Sequence, residues 1–230
     1  MEIARRARAY VRVAGPDAAD YLQRMVSNDV EALAAGASCP ALLLTPKGRV
    51  LAPLVVWRRG ADDFLLLTEP ELGEVVLAQL ARMRFRARCE IEPEEHESLL
   101  VLGGEDGIAT DWPGARELLD AGLEPTLSAD ELELRRIEAG VPRWGREIDE
   151  RILPAEAGLD RTHISFSKGC YPGQEPVARL HFRGHPNREL RVVELGEGVE
   201  VERVTSSAER PDGSVVALAY VRVDAKARAG

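Results

Sequence analysis

The chain has little cysteine, no long hydrophobic run and no surplus of positive charge, and each shortage removes a class of function. Cys39, Cys89 and Cys170 are the only cysteines among 230 residues. That odd, widely spaced set suggests neither a disulfide framework nor a paired-Cys zinc site, and no metal is expected. No segment approaches the roughly 18 uninterrupted apolar residues of a membrane span. The start, Met1-Glu-Ile-Ala-Arg-Arg, has no continuous apolar stretch behind its arginines, so a soluble, cytoplasmic protein with no membrane partner is expected. The formal net charge of -9 argues against direct nucleic-acid binding, which calls for a concentrated surplus of Lys and Arg. What is present, 45% hydrophobic and 30% charged residues, suffices to bury a core in one large domain or two small ones.

The hydrophobic pattern changes period along the chain. Ala9 to Val13 alternates as a strand, Gly15-Pro16-Asp17 breaks it, and Ala18, Tyr21, Leu22 and Met25 follow at helical spacing. Two apolar stretches, Ala41 to Leu44 and Val50 to Trp57, flank the turn Thr45-Pro-Lys-Gly48, and Phe64 to Thr68 is a third strand. Pro70 opens a second helix, after which Phe85 to Ile91 reads as a strand. Further on, Ser98 to Leu102 predicts a strand, Gly114 to Ala121 a short helix, and Ser128 with Glu131 a capping box. Trp144 to Gly158 is loop with one short helical piece, Ile164 to Phe166 a strand, and Gly173 to Phe182 a helix. Arg191 to Leu195, Val199 to Ser206 and Ser214 to Val223 suit a small β-subdomain, and 225–230 reads as a frayed end. The order predicts an α+β protein, with units at 1–97, 98–187 and 188–230.

The run Lys168-Gly-Cys-Tyr-Pro-Gly-Gln-Glu175 concentrates the candidate chemistry. A cysteine works as a nucleophile or ligand only as a thiolate, which nearby positive charge or a helix N-terminus favours. Lys168 and the helix expected to open near Gly173 offer both to Cys170. Downstream, Arg179, His181, Arg183, His185, Arg188 and Arg191 form a basic island in an acidic chain, suited to an anion, although for the arginines alone a solvated helix face is the favoured reading. Taken alone, Cys170 reads best as a buried thiol, like Cys39 and Cys89.

The full string, with Val177-Ala-Arg179 and Arg183-Gly184 behind it, resembles the signature of YgfZ-type folate-binding proteins, relatives of the glycine-cleavage T-protein. Arg136-Ile-Glu-Ala-Gly-Val-Pro-Arg-Trp-Gly-Arg-Glu147 and Leu153-Pro-Ala-Glu156-Ala-Gly158 are similar to a segment shared by both branches. Gly15-Pro16-Asp17, Leu22 to Val30 and Thr45 to Val50 also resemble family segments, so the likeness spans about residues 10 to 221. It implies a GcvT/YgfZ-like arrangement of ferredoxin-like α+β subdomains around a central folate-sized opening, with a small C-terminal β-subdomain. It implies tetrahydrofolate or a one-carbon derivative as cofactor, held by Glu147, with Trp144 giving an aromatic face and Asn28, Tyr171, Arg179 and Arg183 as further contacts. Glu147 accepting adjacent pterin N–H groups is sensible chemistry; the alternatives are a surface acid at Glu147 and a packing residue at Trp144.

Two departures bear on activity. The T-protein carries an aspartate in the strand after the Gly-containing turn, where this chain has Ala52 and Pro53, and it favours Asn where Glu69 stands. Neither Ala nor Pro can manage a proton, so an active aminomethyltransferase is not expected. Leu132 occupies the position of a tryptophan found in some YgfZ proteins. The resemblance therefore implies an accessory protein that supports iron–sulfur cluster assembly or repair in client or scaffold partners, with Cys170 as its functional thiol and Lys168 tuning it. Any effect on tRNA modification would be indirect. The alternative is a folate-dependent aminomethyl or methyl transferase using Asp62, Asp63 or Glu69.

Overall fold

Strand and helix periods alternate twice between residues 9 and 94, and the backbone follows them. The computed structural model describes residues 1–196 and 201–223. Strand β2 (Ala9–Ala14; a preceding β1 spans Glu2–Arg5), helix α1 (Ala18–Met25), the hairpin β3 (Ser38–Leu44) and β4 (Val50–Arg58), β5 (Asp63–Thr68), α2 (Gly73–Met83) and β6 (Glu90–Glu94) build the first layer. Its antiparallel sheet has the order β3-β4-β5-β2-β6. Without the added edge strand β3 this is the ferredoxin-like βαββαβ plan. Helix α1 buries Ala18, Tyr21, Leu22 and Met25, the stripe that its spacing predicts. Together with Val76 and Leu80 of α2 these pack on Val11, Val13, Leu54 and Phe64. The opposite face of the sheet is also covered: Tyr10, Val55, Leu65 and Leu67 meet Ile108 from the next unit.

The second sheet is β1-β7-β9-β8, with β7 at Ser98–Leu102, β8 at Ile108–Ala109 and β9 at Ala115–Leu119. The chain therefore begins in this sheet, Ile3 facing Val101 in register, and crosses to the first layer only at Ala9. A unit running unbroken over 1–97 is corrected in that respect. The helix expected over 114–121 is instead the strand β9. Seven residues between Gly114 and Gly122 cannot nucleate a helix alone, and β7 offers an open edge along which Ala115 and Glu117 are buried alternately.

The strand expected over 85–91 starts only at Glu90. Arg88 donates its backbone N–H to Asp17 Oδ2 at 2.8 Å rather than to a ladder, and Phe85 sits exposed at φ 47°. Residues 164–166 are irregular, because the Ser165 N–H is spent on the Ser27 carbonyl.

Helix α3 (Ala129–Glu138) begins at the expected capping box of Ser128 and Glu131. Its Ile137 packs on the C-terminal sheet of β10 (Arg188–Leu195), β11 (Arg203–Glu209) and β12 (Val215–Arg222), order β10-β12-β11. Of the strand expected over 199–206, residues 199–200 lie outside the described residues, as does the tail from 225. Among the described residues no helix is long and apolar enough to cross a membrane.

Helix α4 (Gln174–Arg183) follows the cysteine motif and docks on the β3–β4 turn through glycines. Gly173 has φ +80°, and a methyl there would run into the Thr45 carbonyl oxygen; one on Gly48 would lie 2.9 Å from Pro176. Gly173→Ala is expected to lower stability by at least roughly 1–2 kcal/mol from the left-handed backbone alone, seen as a lower urea midpoint.

Between the first two layers, His96 Nδ1 lies 2.7 Å from Asp120 and Nε2 2.9 Å from Glu94. Burial disfavours its charged ring, but the two carboxylates outweigh burial and raise its pKa. A raised folded pKa contributes stability fully below the unfolded value of about 6.5, lost as pH rises through the folded one. The stability advantage of the wild type over His96→Gln should therefore shrink as pH rises above about 6.5.

Candidate functional site

Arg6 and Arg8 lie on the connector between β1 and β2, where two arginines must be buried as the chain passes between sheets. Arg6 Nη1 is 2.9 Å from Asp111 and 3.1 Å from Glu117; Arg8 reaches the same two carboxylates at 3.0 and 2.9 Å. Burial opposes the charge on Asp111, yet Arg6 and Arg8 hold its carboxyl well below the usual range. Above this lattice lies a cavity of about 290 Å³, walled by Arg5 to Ala7, by Glu69 to Glu71 at the end of β5, by Trp112, by Ala129, Leu132, Glu133 and Arg136 of α3, and by Val141 to Arg143. Trp112 and Leu132 give apolar walls, and Arg143 stands at a half-exposed rim. Glu133 is gripped by Arg136 through two bonds of 2.9 and 2.8 Å. Glu69 is half-buried, and its carboxyl has no hydrogen-bond or ion-pair partner among the described residues. Burial raises its pKa, against a lowering by Arg8 and Arg6.

The residues expected at the site divide differently. Glu147 does not offer its carboxylate to a ligand: its side chain is fully buried. One oxygen accepts from Arg136 Nη1 at 2.9 Å and from the Arg143 N–H at 3.0 Å, and the other from Ser206 Oγ at 2.6 Å. The Tyr220 hydroxyl donates to the Glu147 carbonyl at 2.9 Å. Arg136 in turn uses all five of its N–H groups, on Glu133, Val141, Glu147 and Ser206. Glu147 is thus the charged rivet between α3 and the C-terminal sheet.

Trp144 packs between the first-layer core and the core beneath α4, so the packing alternative is the one realised. Asn28 donates to the carbonyls of Pro40 and Thr162 at 2.7 and 3.1 Å and accepts from the Asp29 N–H, clasping two loops away from the cavity.

Tyr171 is buried among Leu42, Leu44 and Val177, its unpartnered hydroxyl pushed by burial to a pKa of about 12. Arg179 and Arg183 stand exposed on α4 beside the exposed Phe182. Neither arginine has a carboxylate within ion-pair distance among the described residues, and neither lines the cavity.

Cys170 is solvent-exposed, not the buried thiol of composition alone. The expected role of Lys168 beside it is corrected: its ammonium donates to the carbonyls of Gln23, Val26 and Asn28 at 2.5, 2.7 and 2.8 Å. That is the C-terminal end of α1, where carbonyls lack partners and a cation is favoured. All three donors are used, and burial lowers the Lys168 pKa to about 8. The thiol that its charge reaches is Cys39, which burial nevertheless pushes up to about 12. Cys89 is raised by burial as well. Cys170 is thus the exposed member of the three, on a loop pinned by Lys168 on one side and by Gly173 on the other.

Sequence reasoning missed Trp112, which stands alone in a Pro/Gly turn with no periodic pattern around it, and the cavity role of Glu133. Pro53 pairs with Leu42 on the same strand face as Val55, toward the second layer. An unionisable residue therefore stands there.

Two substitutions test this account. Lys168→Met should cost about 2 kcal/mol or more by stranding three carbonyls, while the alkylation rate of Cys170 at neutral pH stays within about twofold. Glu147→Ala should cost about 3 kcal/mol, because it removes the buried acceptor of Arg136 Nη1, the Arg143 N–H and Ser206 Oγ while Glu133 still pairs Arg136; urea denaturation reads both.

Residues 7–131 match the family model of the GCVT N-terminal domain. An aminomethyltransferase of Saccharopolyspora erythraea is 26% identical over 93% of this chain and 76% of its own length. The tRNA-modifying protein YgfZ of Serratia proteamaculans is 27% identical over 90% of this chain and 80% of its own length. Among solved structures, the glycine cleavage system aminomethyltransferase T of Bartonella henselae superposes with a TM-score of 0.74 over 94% of this chain and 76% of that one, at 19% identity. That likeness establishes a shared fold, with its α+β units and small C-terminal sheet. Since the matched segment covers more than half of the 230 residues, the chain belongs to the family of the GCVT N-terminal domain.

Proposed function

We propose that this protein binds tetrahydrofolate or a one-carbon derivative in the cavity above the Arg6–Arg8 lattice and supports the assembly or repair of iron–sulfur clusters in client enzymes. The observation that carries the reading is Cys170, an exposed thiol on a doubly pinned loop of an aminomethyltransferase fold that has Pro53 in place of an acid. The cavity fits a reduced pterin: Trp112, Leu132 and Val141 supply apolar contact, Glu69 is an unsatisfied polar group on its wall, and Arg5 and Arg143 stand at the rim for a glutamate tail. At about 290 Å³ it lies near the lower end of small-molecule sites, which suits a ring held inside and a tail directed outward. The folate supplies one-carbon or reducing chemistry when bound. The protein's residues orient the ring and exclude water.

Cys170 acts as a redox-responsive or transient ligand thiol toward a client. Among the described residues no cluster of three or more His, Cys, Asp or Glu is placed to hold a metal, so this thiol stands alone and a partner completes the coordination. The net charge of -9 disfavours direct RNA contact. The tRNA modification in the names of the YgfZ relatives would then reach tRNA through an iron–sulfur enzyme.

A second reading, a folate-dependent one-carbon transferase, is favoured by one observation: of the three replacement acids, Glu69 lines the cavity, whereas Asp63 is paired with Arg12 and Arg59.

Titration with tetrahydrofolate should quench Trp112 fluorescence, and the signal should fall sharply in Trp112→Phe. Cys170→Ala should bind folate with unchanged affinity and fail to restore iron–sulfur enzyme activity in cells lacking the protein. Full restoration by Cys170→Ala would falsify the thiol's role, and turnover of a methylene donor abolished by Glu69→Ala would favour the transferase.

A further inference from the structure

Three carboxylates border the cavity, and their situations differ. Glu133 is held bidentately by Arg136, Glu71 is exposed, and Glu69 is half-buried without a partner among the described residues. Charged groups surround Glu69 from each neighbouring element: Arg5 at the end of β1, Arg6 and Arg8 from the connector, Asp111 from the link between β8 and β9, Glu71 from its own turn, Glu133 and Arg136 from α3 and Arg143 from the loop behind it. The two nearest cations are already neutralised, because Arg6 and Arg8 each contact both Asp111 and Glu117. A lattice of two positive and two negative charges leaves only part of its positive field for a third carboxyl. Desolvation outweighs the lowering by Arg8 and Arg6 and favours the neutral acid.

The two forms of a carboxyl recognise different edges of a ligand. An ionised carboxylate only accepts and suits two adjacent N–H groups. A neutral carboxyl places one O–H donor beside one C=O acceptor and suits an edge with the reverse pair, the N–H and C=O of a lactam. A pterin ring carries both kinds of edge, so the protonation state of the wall decides how the ring is seated.

We infer that Glu69 is the specificity-determining residue of the cavity, presenting a neutral carboxyl to the lactam edge of a heteroaromatic ring such as a pterin. The inference rests on the folate reading above and deepens it. Binding draws on the protonated form, so it is strongest at low pH. It weakens as pH rises through the Glu69 titration, because the carboxylate must then take up a proton for the ligand to bind. Raised burial cost and the lost donor act in the same direction.

The test is the dissociation constant of tetrahydrofolate, read from tryptophan fluorescence under reducing conditions between about pH 5 and pH 9, a span chosen to cover a carboxyl raised above its usual value. Wild type should bind most tightly at the acid end and lose about tenfold per pH unit above the Glu69 titration. Glu69→Gln keeps one donor and one acceptor at every pH and should hold its affinity flat across the range. Glu69→Leu, which has neither, should bind weakly throughout. Urea midpoints matching wild type show that each variant is folded.

Wild-type affinity that is flat or rises with pH, or a Glu69→Gln profile that follows wild type, overturns the inference while leaving folate binding intact. No binding by wild type at any pH overturns both the inference and the folate reading.

Discussion

The pairing of Arg6 and Arg8 with Asp111 and Glu117 is the constraint on which the layered structure depends. Arg8 and Glu117 have side chains only 2% and 0% exposed, and buried ions are tolerated only when paired and hydrogen-bonded. Because the arginines sit between β1 and β2 while the acids belong to the second sheet, satisfying the charges fixes how the first layer lies on the second. Arg6 of this lattice also lines the cavity. The same contacts leave Glu69, at the end of β5, in a desolvated place with no cation to spare.

A second buried charge does a similar task at the other end of the molecule. Arg136 and Glu147, with Ser206 and Tyr220, tie α3 to the C-terminal sheet. In the second network all five N–H groups of Arg136 are used, whereas in the first Glu117 Oε2 is buried without a hydrogen-bond partner. Open capacity is found where the networks stop: at the unpaired carboxyl of Glu69 and at the exposed thiol of Cys170. In the function proposed above, those two groups serve different partners, one a small ring within the cavity and the other a macromolecule outside it. Keeping them apart allows each to be removed without disturbing the other.

Much of the fold was legible in residue order. The helical stripe of α1, the Ser128–Glu131 capping box, the turn at Thr45 to Gly48 and the tail strands follow from local periodicity and turn chemistry, and the structure contains each of them. Strand β9 was not legible, since seven residues between glycines carry no decisive period and the open edge of β7 decided them. The start of β6 was misplaced because alternation from Phe85 to Ile91 imitates a strand while the Arg88 N–H is claimed by Asp17. Among site residues, Glu147 and Lys168 have the right chemistry for a ligand and a thiol. Nothing local reveals that their hydrogen bonds are consumed by residues 59 and 140–145 positions away.

By itself, the sequence determined the family, through the motif from Lys168 to Glu175, the α+β class, through periodicity, and the absence of an ionisable group at Pro53, since side-chain identity settles it. Tertiary structure alone decided which charges remain free. Whether a carboxylate or an ammonium is available depends on the partners that folding brings within 3 Å, and these come from distant parts of the chain. Glu147 and Lys168 were consumed in that way, and Glu69 and Cys170 were left.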